Sequence, residues 1–357
     1  MPVTPAAPIA SAARWPATDV ARHRWAHAAS RLGLALALLC AACRAQAGLT
    51  ERWAERREAH AQAQQASAWA ASGLQTLHTT VQGVQRTWLL YRPAGLPQGR
   101  PLPVVYVFHG GGGWAEHLTD GDRYGWLAKA DREGFIAVFP SGYSRLPGGR
   151  LATWDAGGCC GDARDQGIDD VGFVRAIHTE LSQHVLVDAG RVFATGMSNG
   201  GMMAHRLACD MADVVVAIAA VAGTDATSAC KPSRSVSVLH IHARDDDHVL
   251  FQGGAGPEAF RDASKVMDFV SVPQTMARWT ERLHCPIARV TALQAPGVRC
   301  EVQQPCDGGT ALELCETDEG GHSWPGASGS GRRGRAGPSQ ALNATDEIWR
   351  FFMSHPR

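Results

Sequence analysis

From residue 77 onward the chain alternates between short apolar blocks and longer amphipathic ones. Residues 86–92 mix aromatic and aliphatic side chains and stop at Pro93, as a strand should. Residues 102–108 are almost continuously apolar, the texture of a strand covered on both faces in a parallel sheet. The same signature returns at residues 135–139, 192–195, 214–221 and 236–241. Between these blocks lie helical segments at 170–184 and 200–210. A final amphipathic helix at 344–354 puts Ile348, Trp349, Phe351 and Phe352 on or near its core face. Asn343 or Thr345 is placed to cap that helix, although Asn343-Ala-Thr345 also has the form of a glycosylation site. Strand–helix alternation of this kind predicts an α/β class with a mostly parallel central sheet flanked by helices. No internal repeat and no linker to a second module is visible, so residues 77–357 are expected to form a single catalytic domain.

The beginning of the chain has a different texture. Arg22, His23, Arg24 and Arg31 precede an apolar run from Leu32 to Cys43, and Ala45-Gln-Ala47 offers the small residues a signal peptidase reads. A run of about a dozen residues is too short to span a bilayer. Residues 1–47 therefore read as a signal peptide with an extended first region, and the protein as secreted, extracellular or periplasmic; lipid anchoring through Cys43 is the alternative. Residues 48–76, rich in Ala, Gln, Glu and Arg, read as a variable helical or tail segment.

Composition narrows the partners. Of 357 residues, 45% are hydrophobic and 19% charged, which suits a sizeable core. Lys plus Arg and Asp plus Glu both number 34, so no charge surplus points to nucleic acid or to a polycation. Ten cysteines are present, and removing Cys40 and Cys43 with the signal leaves an even set that reads as disulfides in an exported protein. Cys209 with Cys230 can close one loop, and Cys285–Cys306 with Cys300–Cys315 is the preferred pairing of the last four. Cys159 and Cys160 are either a vicinal bridge or two free thiols. No pair among these eight has C-x-x-C spacing, and no metal or other cofactor is expected.

The chemistry concentrates at Gly196-Met-Ser-Asn-Gly200, a G-x-S-x-G between a predicted strand and a predicted helix. On such a strained turn small residues two before and two after let the backbone pass closely while the Ser198 hydroxyl stands exposed. A serine hydroxyl needs a base, and in this arrangement the chain order is Ser, acid, His. Asp246, after the strand ending His240-Ile-His242, is the chosen acid, with Asp245 and Asp247 as rivals. His322, on the glycine-lined loop Glu319-Gly-Gly-His-Ser-Trp-Pro-Gly326, is the chosen base, with His248 as rival. His109-Gly-Gly-Gly-Gly113 follows the strand at 102–108 where an oxyanion loop belongs. Gly111 or Gly112 N–H, with Asn199 N–H, would then receive the developing negative charge. Trp114, Trp154 and Trp324 flank these loops and are candidate substrate contacts.

Together these motifs resemble the secreted polyhydroxybutyrate depolymerase and feruloyl (acetylxylan) esterase family of α/β-hydrolases. The resemblance is carried by Tyr91-Arg-Pro93, the His109 glycine loop, Phe139-Pro-Ser-Gly142 and Trp154-Asp-Ala-Gly-Gly-Cys-Cys-Gly161. Asp169-Asp-Val-Gly-Phe-Val174, the turn at Ser198, residues 242–249 and Gly320-Gly-His-Ser-Trp-Pro325 extend it. It implies an α/β-hydrolase fold and makes Asp246, fourth after His242, the triad acid. The chain departs from the family in Ala243-Arg244, where a Gly-Thr pair is common, and in the expanded Gly/Ser/Arg loop at 326–337. The expected activity is ester hydrolysis of hydroxyalkanoate oligomers or polymer, with feruloyl or acetylated plant polysaccharide as the alternative. A serine peptidase and a non-catalytic binding protein stand behind both. The family's polymer-anchoring module is not recognisable here, which favours soluble substrates over crystalline polymer.

Overall fold

The computed structural model describes residues 50–57, 69, 71–97, 99–259, 262–328 and 337–357. The expected signal peptide at 1–47 lies outside the described residues, as does most of the Gly/Ser/Arg loop. Two compact units divide the chain at Ala66/Ser67. In the first, residues 50–57 are an exposed helix, α1.

The second unit is built on one ten-stranded sheet. Its strands are β1 (Gly73–Val81), β2 (Val84–Arg92), β3 (Leu102–Phe108), β4 (Ile136–Pro140) and β5 (Val187–Met197). They continue with β6 (Ala217–Val221), β7 (Ser237–Ala243), β8 (Val290–Ala295), β9 (Val298–Gln303) and β10 (Leu312–Thr317). The helices are α2 (Ala115–Thr119), α3 (Trp126–Glu133), α4 (Gly161–Asp165), α5 (Asp170–His184), α6 (Asn199–Asp210), α7 (Val272–Arg282) and α8 (Ala344–Ser354). The order across the sheet is β1-β2-β4-β3-β5-β6-β7-β10-β9-β8. The run from β4 to β10 is parallel, and antiparallel pairs close both edges. This is the α/β-hydrolase arrangement, in a single domain.

The continuous apolar texture of the inner strands has its physical reason here. In β3, Val104, Tyr106 and Phe108 pack with α5, α6 and α7, while Val105 and Val107 pack with α3 and α8 on the opposite face. Both faces are dry, so both sets of alternate residues must be apolar. At α8, Ile348, Trp349, Phe351 and Phe352 are buried as expected, and Asn343 Oδ1 accepts the Asp346 N–H at 3.0 Å, a side-chain cap.

Two edges differ from the sequence expectation. The folded unit begins before residue 77: β1 starts at Gly73, and Trp69 is buried with its ring stacked on His184 at 4.3 Å. The antiparallel strands β8 and β9 were not anticipated, because β8 exposes most of its length and lacks an apolar face. Among the described residues the cysteines pair as Cys159–Cys160, Cys209–Cys230, Cys285–Cys306 and Cys300–Cys315. The preferred pairings hold, and the vicinal alternative is the one realised. Cys300 and Cys315 face each other across β9 and β10 in register.

What this architecture does for function is to gather loops. His109 follows β3, Ser198 follows β5, Asp246 follows β7 and His322 follows β10. All four stand at the carboxyl ends of parallel strands, the edge where open α/β sheets bind their ligands.

Candidate active site

Ser198 sits between β5 and α6 with φ 56° and ψ −124°, a left-handed conformation that side chains rarely adopt. The turn is held by Ser198 N–H donating to the Val221 carbonyl at 2.8 Å and by Met202 N–H returning to the Ser198 carbonyl at 2.9 Å. The flanking glycines are required by contact. A Cβ on Gly196 would lie 2.6 Å from the Gly200 carbonyl, and one on Gly200 would overlap the Phe108 and His109 carbonyls. Asn199 is buried, its side chain clasping the Trp154 backbone: Oδ1 accepts from N–H at 2.7 Å and Nδ2 donates to C=O at 3.0 Å. Its own N–H opens α6, where no helical acceptor exists.

The glycine loop is shaped by a buried imidazole. His109 Nε2 accepts the Gly142 N–H at 2.9 Å, so its proton resides on Nδ1, which donates to the Gly110 carbonyl at 2.8 Å. Burial pushes its pKa down to about 4, and the ring is a neutral structural strut, not a base. This wiring corrects one expected oxyanion donor. Gly112 N–H is committed to the Ala152 carbonyl at 2.8 Å, and Gly113 N–H to Gly110 at 3.0 Å. Of the two expected donors, Gly111 N–H is the one that no carbonyl claims among the described residues.

The three consecutive aspartates separate cleanly. Asp246 is buried; its Oδ1 accepts from the His248 and Val249 N–H groups at 2.8 and 2.9 Å, and its Oδ2 lies 2.8 Å from His322 Nδ1. Burial opposes its charge, but hydrogen bonds from His242 and His322 outweigh that and hold its carboxyl well below the usual carboxylate range. Asp245 instead anchors the loop that carries the histidine, accepting Gly321 N–H at 2.8 Å and Gly320 N–H at 3.3 Å. Asp247 pairs with His248 Nδ1 at 2.6 Å. With Nδ1 of His322 engaged by Asp246, its Nε2 is the nitrogen available to take a proton. The rival His248 lies flat against the His322 ring, centroids 4.4 Å apart, and burial lowers its pKa.

Ser198 and His322 line one cleft of about 630 Å³. Gly110–Gly113 and Asn199 form its floor, and Tyr124, Met202, Val266 and Phe269 give it an apolar wall. The expected tryptophan contacts need correction. Trp154 is fully buried, edge-on to Phe108, with its indole N–H donated to the His109 carbonyl at 2.9 Å. Trp324 is buried against Tyr124 and Trp126 and donates to Thr345 Oγ1 at 3.0 Å. Trp114 lines a separate groove with Gln85, Thr87, Glu116 and Tyr143. The aromatic residues that do reach the cleft, Tyr124 and Phe269, carried no motif that would have flagged them.

Among the described residues, two groups of donor atoms come close enough to hold an ion: Asp246, His248 and His322, and Cys300, Cys315, Glu313 and Glu347. In the first, Asp246 and His322 already satisfy each other, and in the second both sulfurs are spent in a disulfide. Neither donor set suits a resident metal.

Sheet order, the serine on a strand–turn–helix junction and the carboxylate–imidazole pair define an α/β-hydrolase of the serine type. The chain belongs to the esterase PHB depolymerase family, whose model matches residues 86–267. Feruloyl esterase B of Piromyces equi is 30% identical over 248 residues, which is 68% of this chain and 42% of that protein. Putative esterase NocK of Nocardia uniformis subsp. tsuyamanensis is 31% identical over 263 residues, 69% of this chain and 72% of that protein. The chain thus spans less than half of the feruloyl esterase. Among solved structures, acetyl xylan esterase from Aspergillus awamori shares the fold, with TM-score 0.53 and 14% identity over 79% of this chain and 99% of that one.

Proposed function

We propose that this chain is an exported serine esterase with Ser198, Asp246 and His322 as its triad, acting on feruloyl or related aryl esters of plant polysaccharide. The observation that carries the chemistry is the shared cleft, lined both by a strained, half-buried serine and by an imidazole whose Nδ1 is held by a buried carboxylate. His322 Nε2 takes the Ser198 proton as Oγ attacks the acyl carbon. Negative charge on the carbonyl oxygen falls to the Gly111 and Asn199 N–H groups; losing one such donor costs about 10²–10³ in rate. His322 returns the proton to the departing alcohol, and then activates water to release the acid from the acyl-enzyme.

For the substrate, hydroxyalkanoate esters come first from the motifs and plant-wall esters second. The relatives reverse that order, since feruloyl esterase B is among them. The apolar wall of Tyr124, Met202, Val266 and Phe269 supports an aromatic acyl group. Disulfides in the folded unit support export. Among the described residues no helix is long and apolar enough to cross a membrane. Comparison of kcat/KM on methyl ferulate, acetylated xylan and a 3-hydroxybutyrate trimer tests the assignment. Methyl ferulate is expected to lead the trimer by tenfold or more, on the order of one well-filled apolar contact. A trimer rate equal to or above the ferulate rate overturns it.

A further inference from the structure

Behind the proposed triad acid the core holds polar side chains that the mechanism above does not use. His240 and His242 share one face of β7, and His205 of α6 packs against them. All three rings are buried and stack in series, with centroids 5.3 Å apart for His240–His242 and 5.7 Å for His205–His240. None lines the cleft.

Their hydrogen bonds fix where the protons are. A carbonyl oxygen only accepts, so His242 Nε2, 2.8 Å from the Val249 carbonyl, carries a proton. That same N–H lies 3.3 Å from Asp246 Oδ2. In the neutral His242 ring Nδ1 is then bare, and it accepts from His240 Nε2–H at 3.1 Å. His240 Nδ1 ends the series without a hydrogen-bond partner among the described residues. Burial holds His240 neutral. A neutral His240 that donates from Nε2 therefore selects the tautomer of His242 that points a donor at the acid.

We propose that His242 is a positioning residue: its Nε2–H fixes the carboxylate plane of Asp246 so that the remaining lone pairs face His322. The proposal rests on the triad reading above. Two backbone N–H groups hold Asp246 Oδ1, and His242 Nε2 approaches Oδ2 at 3.3 Å as the longer arm of an N–H shared with the Val249 carbonyl, beside His322 at 2.8 Å. Without it the carboxyl group gains freedom to turn about its last bond, and the His322 imidazole loses its fixed direction.

The test is a set of variants assayed on a chromogenic acetate ester, with thermal unfolding as the control for folding. His242→Leu removes the donor and keeps the bulk, and it is expected to lower kcat about 10²-fold, as a displacement near 1 Å in a supporting group does. KM should stay within about threefold. His242→Gln, whose amide can donate from the same place, should recover at least about tenfold of that loss. In an Asp246→Asn background, His242→Leu should cost less than about threefold more, because a residue acting through Asp246 has nothing left to act on. Equal losses for His242→Leu in both backgrounds, a silent His242→Leu, or a His242→Gln no better than Leu would each overturn the proposal. The Asp246→Asn arm keeps it apart from the triad reading: a mild Asp246→Asn refutes the triad, whereas a severe one with a silent His242→Leu refutes only the role of His242.

Discussion

Asparagine substitution along Asp245-Asp246-Asp247 separates three adjacent carboxylates by what each one holds. At Asp246, an amide keeps one oxygen for the His248 and Val249 N–H groups but turns an NH₂ toward His322 Nδ1 at 2.8 Å and toward His242. Two donors then face each other, so His322 is driven to the tautomer with its proton on Nε2, where it is no longer a base. In a triad of this type the wrong tautomer costs about 10⁴ in kcat, roughly 5.5 kcal/mol of barrier. At Asp245, asparagine keeps an acceptor for one of the Gly320 and Gly321 N–H groups and loses the charge. A weakened charge-assisted bond of about 1 kcal/mol predicts a loss near fivefold. Asp247 pairs with His248 Nδ1 at 2.6 Å on a partly exposed rim, and its change should stay within about threefold. The assay is kcat and KM on p-nitrophenyl acetate at pH 7.5, with thermal unfolding to confirm folding. An Asp246→Asn rate within about tenfold of the parent, or an Asp245→Asn loss as large as that of Asp246→Asn, refutes the reasoning.

Three further outcomes follow from the same structure. Arg86 and Asp170 form a fully buried ion pair at 2.6 Å, and Asp170 also accepts the Asp155 N–H at 2.7 Å. Arg86→Ala strands that carboxylate and should cost about 3–5 kcal/mol in urea unfolding; a loss below about 1 kcal/mol contradicts the pairing. Gly200→Ala forces a Cβ into the Phe108 and His109 carbonyls and should lower the unfolding midpoint together with activity, by about 1–3 kcal/mol or more. His109 and His205 are each held by burial at a pKa of about 4, below the unfolded value of 6.5. The unfolded chain therefore binds protons that the folded one refuses between pH 6.5 and 4. Stability is fully present above pH 6.5 and falls on acidification, by about 1.4 kcal/mol per pH unit for each ring inside that window. Urea midpoints measured from pH 7 to pH 4.5 check this, and a flat profile contradicts it.

The parts of the site legible in the sequence are those where geometry dictates residue type. Gly196 and Gly200 announce the turn at Ser198 because nothing larger fits between β3 and α6. The apolar blocks announce the inner strands because both sheet faces are covered. Choosing Asp246 over its neighbours needed family resemblance, since three aspartates in one turn differ only in direction, and direction is set by where β7 ends. The tryptophans misled for a related reason. An indole beside a catalytic motif can point outward to a ligand or inward to a carbonyl, and Trp154 and Trp324 both spend their N–H groups inward. Gly112 was indistinguishable from Gly111 until the Ala152 carbonyl, about forty residues along the chain, was seen to claim its N–H. Long-range hydrogen bonds of this kind leave no local periodicity to read.

The central claim is that Ser198 forms the acyl-enzyme. Treatment with a fluorophosphonate followed by peptide mass mapping tests it most directly. The account predicts one adduct, on Ser198, formed with loss of esterase activity in step, abolished by Ser198→Ala and greatly slowed by His322→Ala. An active enzyme that stays unlabelled, or an inactivating adduct on any other residue, would contradict it.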